Sequence, residues 1–136
     1  ALTCGVFVLN TPSVGGGLRF SPTANVTDGL LDVVVIGEIT PMELLFNLPK
    51  VYVGKHLNHR AFSLYRCQSA RIETAQPLPK MFDGEVIGHT PVEAFLQPRA
   101  LRVVVPASFP AEGQAVLSGL SSKGAARLPA VTLPGL

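Results

Sequence analysis

The sequence predicts a mainly β domain, part of an antiparallel β-sandwich carrying one short helix. Three observations lead there. Short apolar runs rich in Val, Ile and Phe recur along the chain and are cut by Pro, Gly and Asp-Gly turn residues, which is the punctuation of antiparallel strands. The strongest run, Leu30 to Ile39, is almost continuously apolar, as expected of a strand covered on both faces. A single clear helix start follows it at Thr40.

At 136 residues the chain has the length of one domain and enough residues to bury a core. It opens on Ala1 and passes directly into an apolar run, so it is read as a processed product or a piece of something longer. No apolar run approaches the ~20 residues needed to span a bilayer. Residues 1–20 lack the basic segment and long apolar stretch of a signal peptide. Cys4 and Cys67 are far apart without a CxxC spacing, and are expected to be free thiols in a reducing, cytoplasmic setting.

Taken in order, residues 2–9 are β-branched and aromatic enough for a mostly buried strand. Pro12 and Ser13 break it, and Gly15-Gly16-Gly17 follows. The glycines fit neither GxGxxG nor a Walker loop and open no helix, so a tight loop or bulge is expected rather than a phosphate cradle. Leu18-Arg19-Phe20 is expected to resume as a short strand, and Ser21 to Gly29 forms a loop ending in an Asp-Gly turn. Thr40-Pro41-Met42-Glu43 then reads as a capping box with proline at the first helical position. Leu44, Leu45 and Leu48 supply an apolar face, Pro49 is expected to limit the segment, and Gly54 to limit any continuation. Strands are predicted over Phe62–Cys67, Ala70–Glu73, Pro91–Leu96 and Leu101–Val105, with an Asp83-Gly84 hairpin turn between the middle two. Residues 1–106 therefore form the β domain. Residues 107–136, dominated by Ala, Gly, Ser and Pro, are expected to be a mobile tail with one marginal helical turn near Gln114–Leu120.

The net charge of +2 is too small to argue for nucleic acid. Its distribution is uneven: no acid lies between Leu44 and Ile72, whereas Lys50, Lys55, Arg60, Arg66 and Arg71 do. Either this block meets an anionic partner, a phosphate or an acidic membrane surface, or acids elsewhere in the fold neutralise it. His56 and His59 share a face only on a helix that Gly54 and Asn58 weaken, and no third ligand is near, so zinc is disfavoured. No Ser/His/Asp or Cys/His pairing is supported. The sequon Asn25-Val26-Thr27 is discounted for want of any sign of secretion. The oxygen-rich loop Asn25–Asp28 suits a hard cation better, with Asp32 as a second carboxylate; from the residues alone, an Asx turn capped by Asp28 is the stronger reading. The turn Asp83-Gly84-Glu85 places carboxylates around a glycine between apolar flanks. By itself it is read as a hairpin with Glu85 on the rim.

The order of these pieces resembles the C-terminal domain of the bacterial diacylglycerol-kinase family of lipid kinases, related to sphingosine and ceramide kinases. The matching pieces begin with Gly15-Gly16-Gly17, Ser21-Pro22-Thr23-Ala24 and Asp28-Gly29-Leu30-Leu31-Asp32-Val33. Leu48-Pro49-Lys50-Val51-Tyr52, Asp83-Gly84-Glu85 and Pro98-Arg99-Ala100-Leu101-Arg102-Val103 complete the set, which covers about residues 5–106. The resemblance implies the substrate-side domain of a two-domain kinase. It implies Glu85 as the proton acceptor for the hydroxyl of a lipid alcohol, and a structural Mg²⁺ held by the Asp28 carboxylate and the carbonyls of Asn25 and Leu30. It further implies ATP, with its own Mg²⁺, bound by an N-terminal domain through a Gly-Gly-Asp-Gly-Thr motif. That motif is absent from these residues, so this stretch alone is not expected to phosphorylate anything. Peripheral contact with an anionic inner membrane face is expected through the Lys50–Arg71 stretch. The alternative is a non-catalytic lipid- or anion-binding β domain.

Overall fold

The computed structural model describes residues 3–106, 127–128 and 131–133. In chain order the elements are β1 (Thr3–Leu9), β2 (Leu31–Gly37), α1 (Pro41–Tyr52) and a 3₁₀ turn at His56–Asn58. They continue with β3 (Phe62–Cys67), β4 (Ser69–Ile72), β5 (Pro79–Phe82), β6 (Glu85–His89) and β7 (Val92–Phe95), then β8 (Arg127–Leu128) and β9 (Val131–Leu133). One sheet has the order β1-β2-β3-β8 and a second the order β7-β4-β9, while β5 and β6 form a separate ribbon. The pairs β1–β2, β2–β3, β4–β7 and β5–β6 are antiparallel; β8 and β9 join parallel to β3 and β4. This is the predicted mainly β architecture with one helix.

The apolar run of β2 explains the layering. Successive strand side chains point to opposite faces, and both faces of β2 are covered. Val34 and Ile36 pack with Leu9, Ala61 and Phe62, supported by Phe7, Phe20 and Leu57. Leu31 and Val33 pack on the other face with Cys67 and Ala70, supported by Ala94 of β7 and by Leu96 just after it. Val33 and Val34 are wholly buried, each contributing about 2 kcal/mol of apolar burial. The chain passes between the sheets with Gln68 alone separating β3 from β4, and the Gln68 carbonyl accepts the Leu96 amide at 3.0 Å. Both cysteines are free; burial, and then the Asp32 charge, push the Cys67 thiol up.

Four expectations are corrected. Leu18-Arg19-Phe20 is not a strand: Val14 and Leu18 exchange backbone hydrogen bonds of 2.9 and 3.0 Å across the Gly15–Gly17 turn, so these residues close a loop instead. Leu101–Val105 has strand propensity but no ladder partner among the described residues, and propensity reports fit to a half-buried pleat rather than an intrinsic preference. Residues 3–9 are half-buried rather than mostly buried, because β1 is an edge strand. Pro49 does not stop α1; the Leu45 carbonyl it leaves unpaired lies on an exposed part of the helix, where water can satisfy it. The proposed helical turn near Gln114–Leu120 lies outside the described residues. Of residues 107–136, only those in β8 and β9 are described.

The ends of α1 follow the sequence closely. Thr40 Oγ1 accepts the Glu43 amide at 3.2 Å, and Glu43 Oε2 accepts the Thr40 amide at 2.9 Å. The Thr40 amide, then its hydroxyl, then Arg60 hold the Glu43 carboxyl down to about 2. At the C-terminus the Lys55 amide donates to the Lys50 carbonyl and the Gly54 amide to Val51, a Schellman closure. Gly54 has φ +70°, and a Cβ there would stand 2.5 Å from Pro22 Cγ. Gly54→Ala is therefore expected to cost about 2–4 kcal/mol, combining left-handed strain with overpacking, read as a lowered urea midpoint.

The helix is turned inside out. Its buried residues are Asn47 and Val51, while Met42, Leu45, Phe46 and Tyr52 are exposed. The Asn47 amide donates to the Glu43 carbonyl at 2.7 Å and its Oδ1 accepts from Lys50 Nζ at 2.8 Å.

His56 lies at 0% exposure within a ring cluster of Phe20 and Phe62. Its Nε2–H donates to the Phe20 carbonyl at 3.1 Å, since a carbonyl can only accept, and Nδ1 has no partner among the described residues. Burial pushes this imidazole below its ordinary value of 6.5, with the Phe20 carbonyl opposing. The unfolded chain thus protonates first. Stability contributed by neutral His56 is complete above about pH 6.5 and falls as the pH drops below it. The loss of urea midpoint between about pH 7.5 and 5 should be smaller in His56→Gln than in the parent; equal losses would assign the slope to other groups.

Candidate active site and cation loop

A charged residue inside a buried strand needs a partner. Asp32, at position two of β2, is 1% exposed. Its Oδ2 accepts from Ser21 Oγ and, at 3.2 Å, from Thr23 Oγ1. Its Oδ1 accepts from Arg66 Nε at 3.0 Å. The antiparallel register places Arg66 of β3 directly opposite Asp32. The same guanidinium reaches Asp28 through Nη2. Burial pulls Arg66 down, but the hydrogen bond and charge of Asp32, then those of Asp28, outweigh it and raise the guanidinium further.

Asp28 Oδ1 accepts the Leu30 amide at 2.9 Å, the Asx turn read from the sequence. Asn25 does likewise, its Oδ1 accepting the Thr27 amide at 3.0 Å and the Thr27 hydroxyl at 2.8 Å. The Asn25 carbonyl accepts the Asp28 amide at 3.4 Å. The three residues expected to ligate Mg²⁺, Asn25, Asp28 and Leu30, thus belong to one tied loop. In chemistry the donor set fits a hard cation, being a carboxylate and backbone carbonyls. Each oxygen named here retains lone-pair capacity beyond the bond it accepts. A cation at Asp28 would share that carboxylate with Arg66.

Glu85 stands elsewhere, on the separate β5–β6 ribbon. Asp83 (φ +46°) and Gly84 (φ +96°) are both left-handed, the geometry a two-residue hairpin requires and Asp-Gly tolerates. Pro79, Met81 and Phe82 pair with His89, Val86 and Glu85. Around the tip Met81, Phe82, Val86 and Ile87 are exposed. Among the described residues the Glu85 carboxylate makes no hydrogen bond or ion pair. The ribbon is closed at its base, where the Thr90 amide donates to the Leu78 carbonyl at 2.8 Å and Thr90 Oγ1 accepts the Leu78 amide at 3.0 Å. Thr74 and Thr90 join through their hydroxyls.

The basic block divides. Arg60 pairs with Glu43 at 3.3 Å, Arg66 with Asp28 and Asp32, and Arg71 with Glu73 at 2.6 Å and with Glu93. The arginines are thus neutralised by acids elsewhere in the fold. Lys50 and Lys55 have no acid partner among the described residues. His56 and His59 do not converge on a common point: His56 Nε2 serves Phe20, and His59 Nδ1 accepts the Ala61 amide at 3.2 Å.

Residues 2–105 match the family model described as the YegS C-terminal NAD kinase beta sandwich-like domain. The chain belongs to this family. Members of the YegS C-terminal family similar to the chain include a "Diacylglycerol kinase" of Mycobacterium tuberculosis, 32% identical over 97 residues. A "Probable lipid kinase YegS-like" of Pseudomonas aeruginosa is 33% identical over 101 residues, and a "Putative lipid kinase YtlR" of Bacillus subtilis 27% over 96. These alignments cover 71%, 74% and 71% of the chain but only 31%, 33% and 31% of the relatives; the chain spans about a third of their length. No solved structure matches it.

The Ser21–Asp32–Arg66–Asp28 network is the part of this site that sequence reasoning missed. A signal was present. An acid inside a run covered on both faces, with an arginine in a neighbouring predicted strand, calls for a buried pair. Only the register shows that the two lie opposite.

Proposed function

We propose that this chain is the C-terminal, substrate-side portion of an ATP-dependent lipid kinase that phosphorylates the hydroxyl of diacylglycerol or a similar lipid. Membership of a family whose similar members are named lipid kinases supports the reaction class. The observation that carries the assignment within this chain is Glu85. It is a carboxylate without a partner among the described residues, held beside an Asp-Gly hairpin turn with exposed apolar side chains on either side to receive a lipid. As the hydroxyl oxygen bonds to the γ-phosphorus and the bond to the ADP oxygen breaks, Glu85 accepts the hydroxyl proton. The Asn25–Leu30 loop would hold a structural Mg²⁺ through the Asp28 carboxylate and the carbonyls of Asn25 and Leu30. Bound there, the ion would neutralise charge and stiffen the loop. The nucleotide and its Mg²⁺ would be bound outside these residues, since no Gly-Gly-Asp-Gly-Thr motif occurs among them.

No helix among the described residues is long and apolar enough to cross a membrane. We place the protein on the cytoplasmic side, in peripheral contact with the membrane that contains its substrate. The test is transfer of radiolabel from ATP to a panel of lipid alcohols by the full-length protein. Labelled diacylglycerol or a related phospholipid is expected. Absence of transfer to every alcohol would leave a non-catalytic lipid- or anion-binding domain.

A further inference from the structure

A helix of a water-soluble domain normally turns its apolar stripe inward; α1 does the reverse. Along its inner side run Glu43, Asn47 and Val51, with the Asn47 side-chain amide bonded to the Glu43 carbonyl; exposed Lys50, whose Nζ donates to Asn47 Oδ1, stands on the flank between this row and the outer side. Along the outer side Met42 is 60% exposed, Leu45 59% and Phe46 68%, followed by Pro49, Tyr52 and Val53. These positions follow i, i+3, i+4, i+7, i+10 and, at the C-cap Val53, i+11, so they form one continuous stripe. Contiguous apolar surface of this kind marks an interaction site.

The charges decide what meets it. Lys50 in the last turn and Lys55 just beyond it are exposed cations without an acid partner among the described residues. Glu43, the acid of this helix, is already engaged by Thr40 and Arg60. An apolar stripe fringed by unneutralised lysines matches a membrane interface with anionic headgroups. At twelve residues α1 is too short to span a bilayer.

We propose that α1 is an interfacial anchor. It lies in the plane of an anionic membrane with Leu45, Phe46 and the flanking apolar side chains among the acyl chains, and Lys50 and Lys55 against the lipid phosphates. The proposal takes from the kinase reading only the membrane location of the substrate.

The experiment is co-sedimentation of the full-length protein with vesicles of phosphatidylcholine alone and of phosphatidylserine mixed with phosphatidylcholine. Binding is expected to favour the mixed vesicles. The double variant Leu45→Gln, Phe46→Gln should lower partitioning about tenfold or more, since each side chain forfeits its transfer free energy. Lys55→Glu should weaken binding to mixed vesicles only. Unfolding midpoints should stay at the parent value, because these side chains are exposed. Turnover of a short-chain lipid alcohol dissolved in water should also be retained. Parent-level vesicle binding by the double variant overturns the proposal. So does a large fall in its unfolding midpoint or a change in oligomeric state, which would show that the rest of the protein or a second copy covers the stripe. Stripe-dependent vesicle binding without transfer to any lipid alcohol would retain the anchor and remove the kinase reading.

Discussion

Glu85→Gln in the full-length protein should lower turnover of its lipid alcohol by about 10²–10⁴, the range associated with losing a positioned general base. The amide keeps the size of the side chain and most of its polarity but has no basic oxygen. Since the side chain is exposed and unpartnered, neither the unfolding midpoint nor KM should move appreciably. Asp83→Asn is the matching control. Asparagine tolerates the left-handed conformation required at φ +46°, so both the turn and the turnover should survive. A Glu85→Gln enzyme with full kcat would remove the base assignment, and a collapse of both variants together would reduce the motif to its role as a hairpin.

Arg66→Met should give a loss of stability on the order of 3 kcal/mol, because it strands a buried charge. Asp32 would keep Ser21 and Thr23, but these neutral hydroxyls cannot balance a carboxylate at 1% exposure. Against the 5–15 kcal/mol typical of a whole domain, that loss is large. Arg71→Met supplies the contrast. Arg71 also forms two ion pairs, with Glu73 and Glu93, but all three side chains are about half exposed or more, where solvent competes for each charge. Its unfolding midpoint should stay close to the parent's. Equal losses from the two arginines would mean that Asp32 is not the group that makes Arg66 matter. Because Arg66 also holds Asp28, its removal should loosen the Asn25–Leu30 loop even where the domain stays folded.

Where local chemistry determines structure, the sequence was readable. The Thr40–Glu43 box, the Gly54 stop and the Asp83-Gly84 turn are each specified within a few residues, and each occurs where it was expected. Leu30–Ile39 was legible because burial on both faces leaves an almost unbroken apolar run. Leu101–Val105 misled because strand-forming composition says nothing about whether a partner edge is available. Pro49 misled because a lost helical bond costs less where water can replace it. The Asp28 loop was read correctly as an Asx turn, but Arg66 could not be placed there. Its guanidinium arrives from 38 residues away along the chain, through a strand register that no local pattern encodes.

The one-residue passage from β3 to β4 sets a tolerance on the whole molecule. Arg66 and Cys67 end the first sheet, and Ala70 and Ile72 are already buried in the second. With Gln68 alone between the strands, there is no slack to absorb a change in length. Adding or deleting one residue there would reverse the facing of β4, sending Arg71 into the core and Ala70 and Ile72 out to water. The Ser21–Gly29 loop and the β5–β6 ribbon can vary in length without that penalty. Gln68 is therefore a joint whose spacing the fold itself holds fixed, although its side chain carries no chemistry of its own.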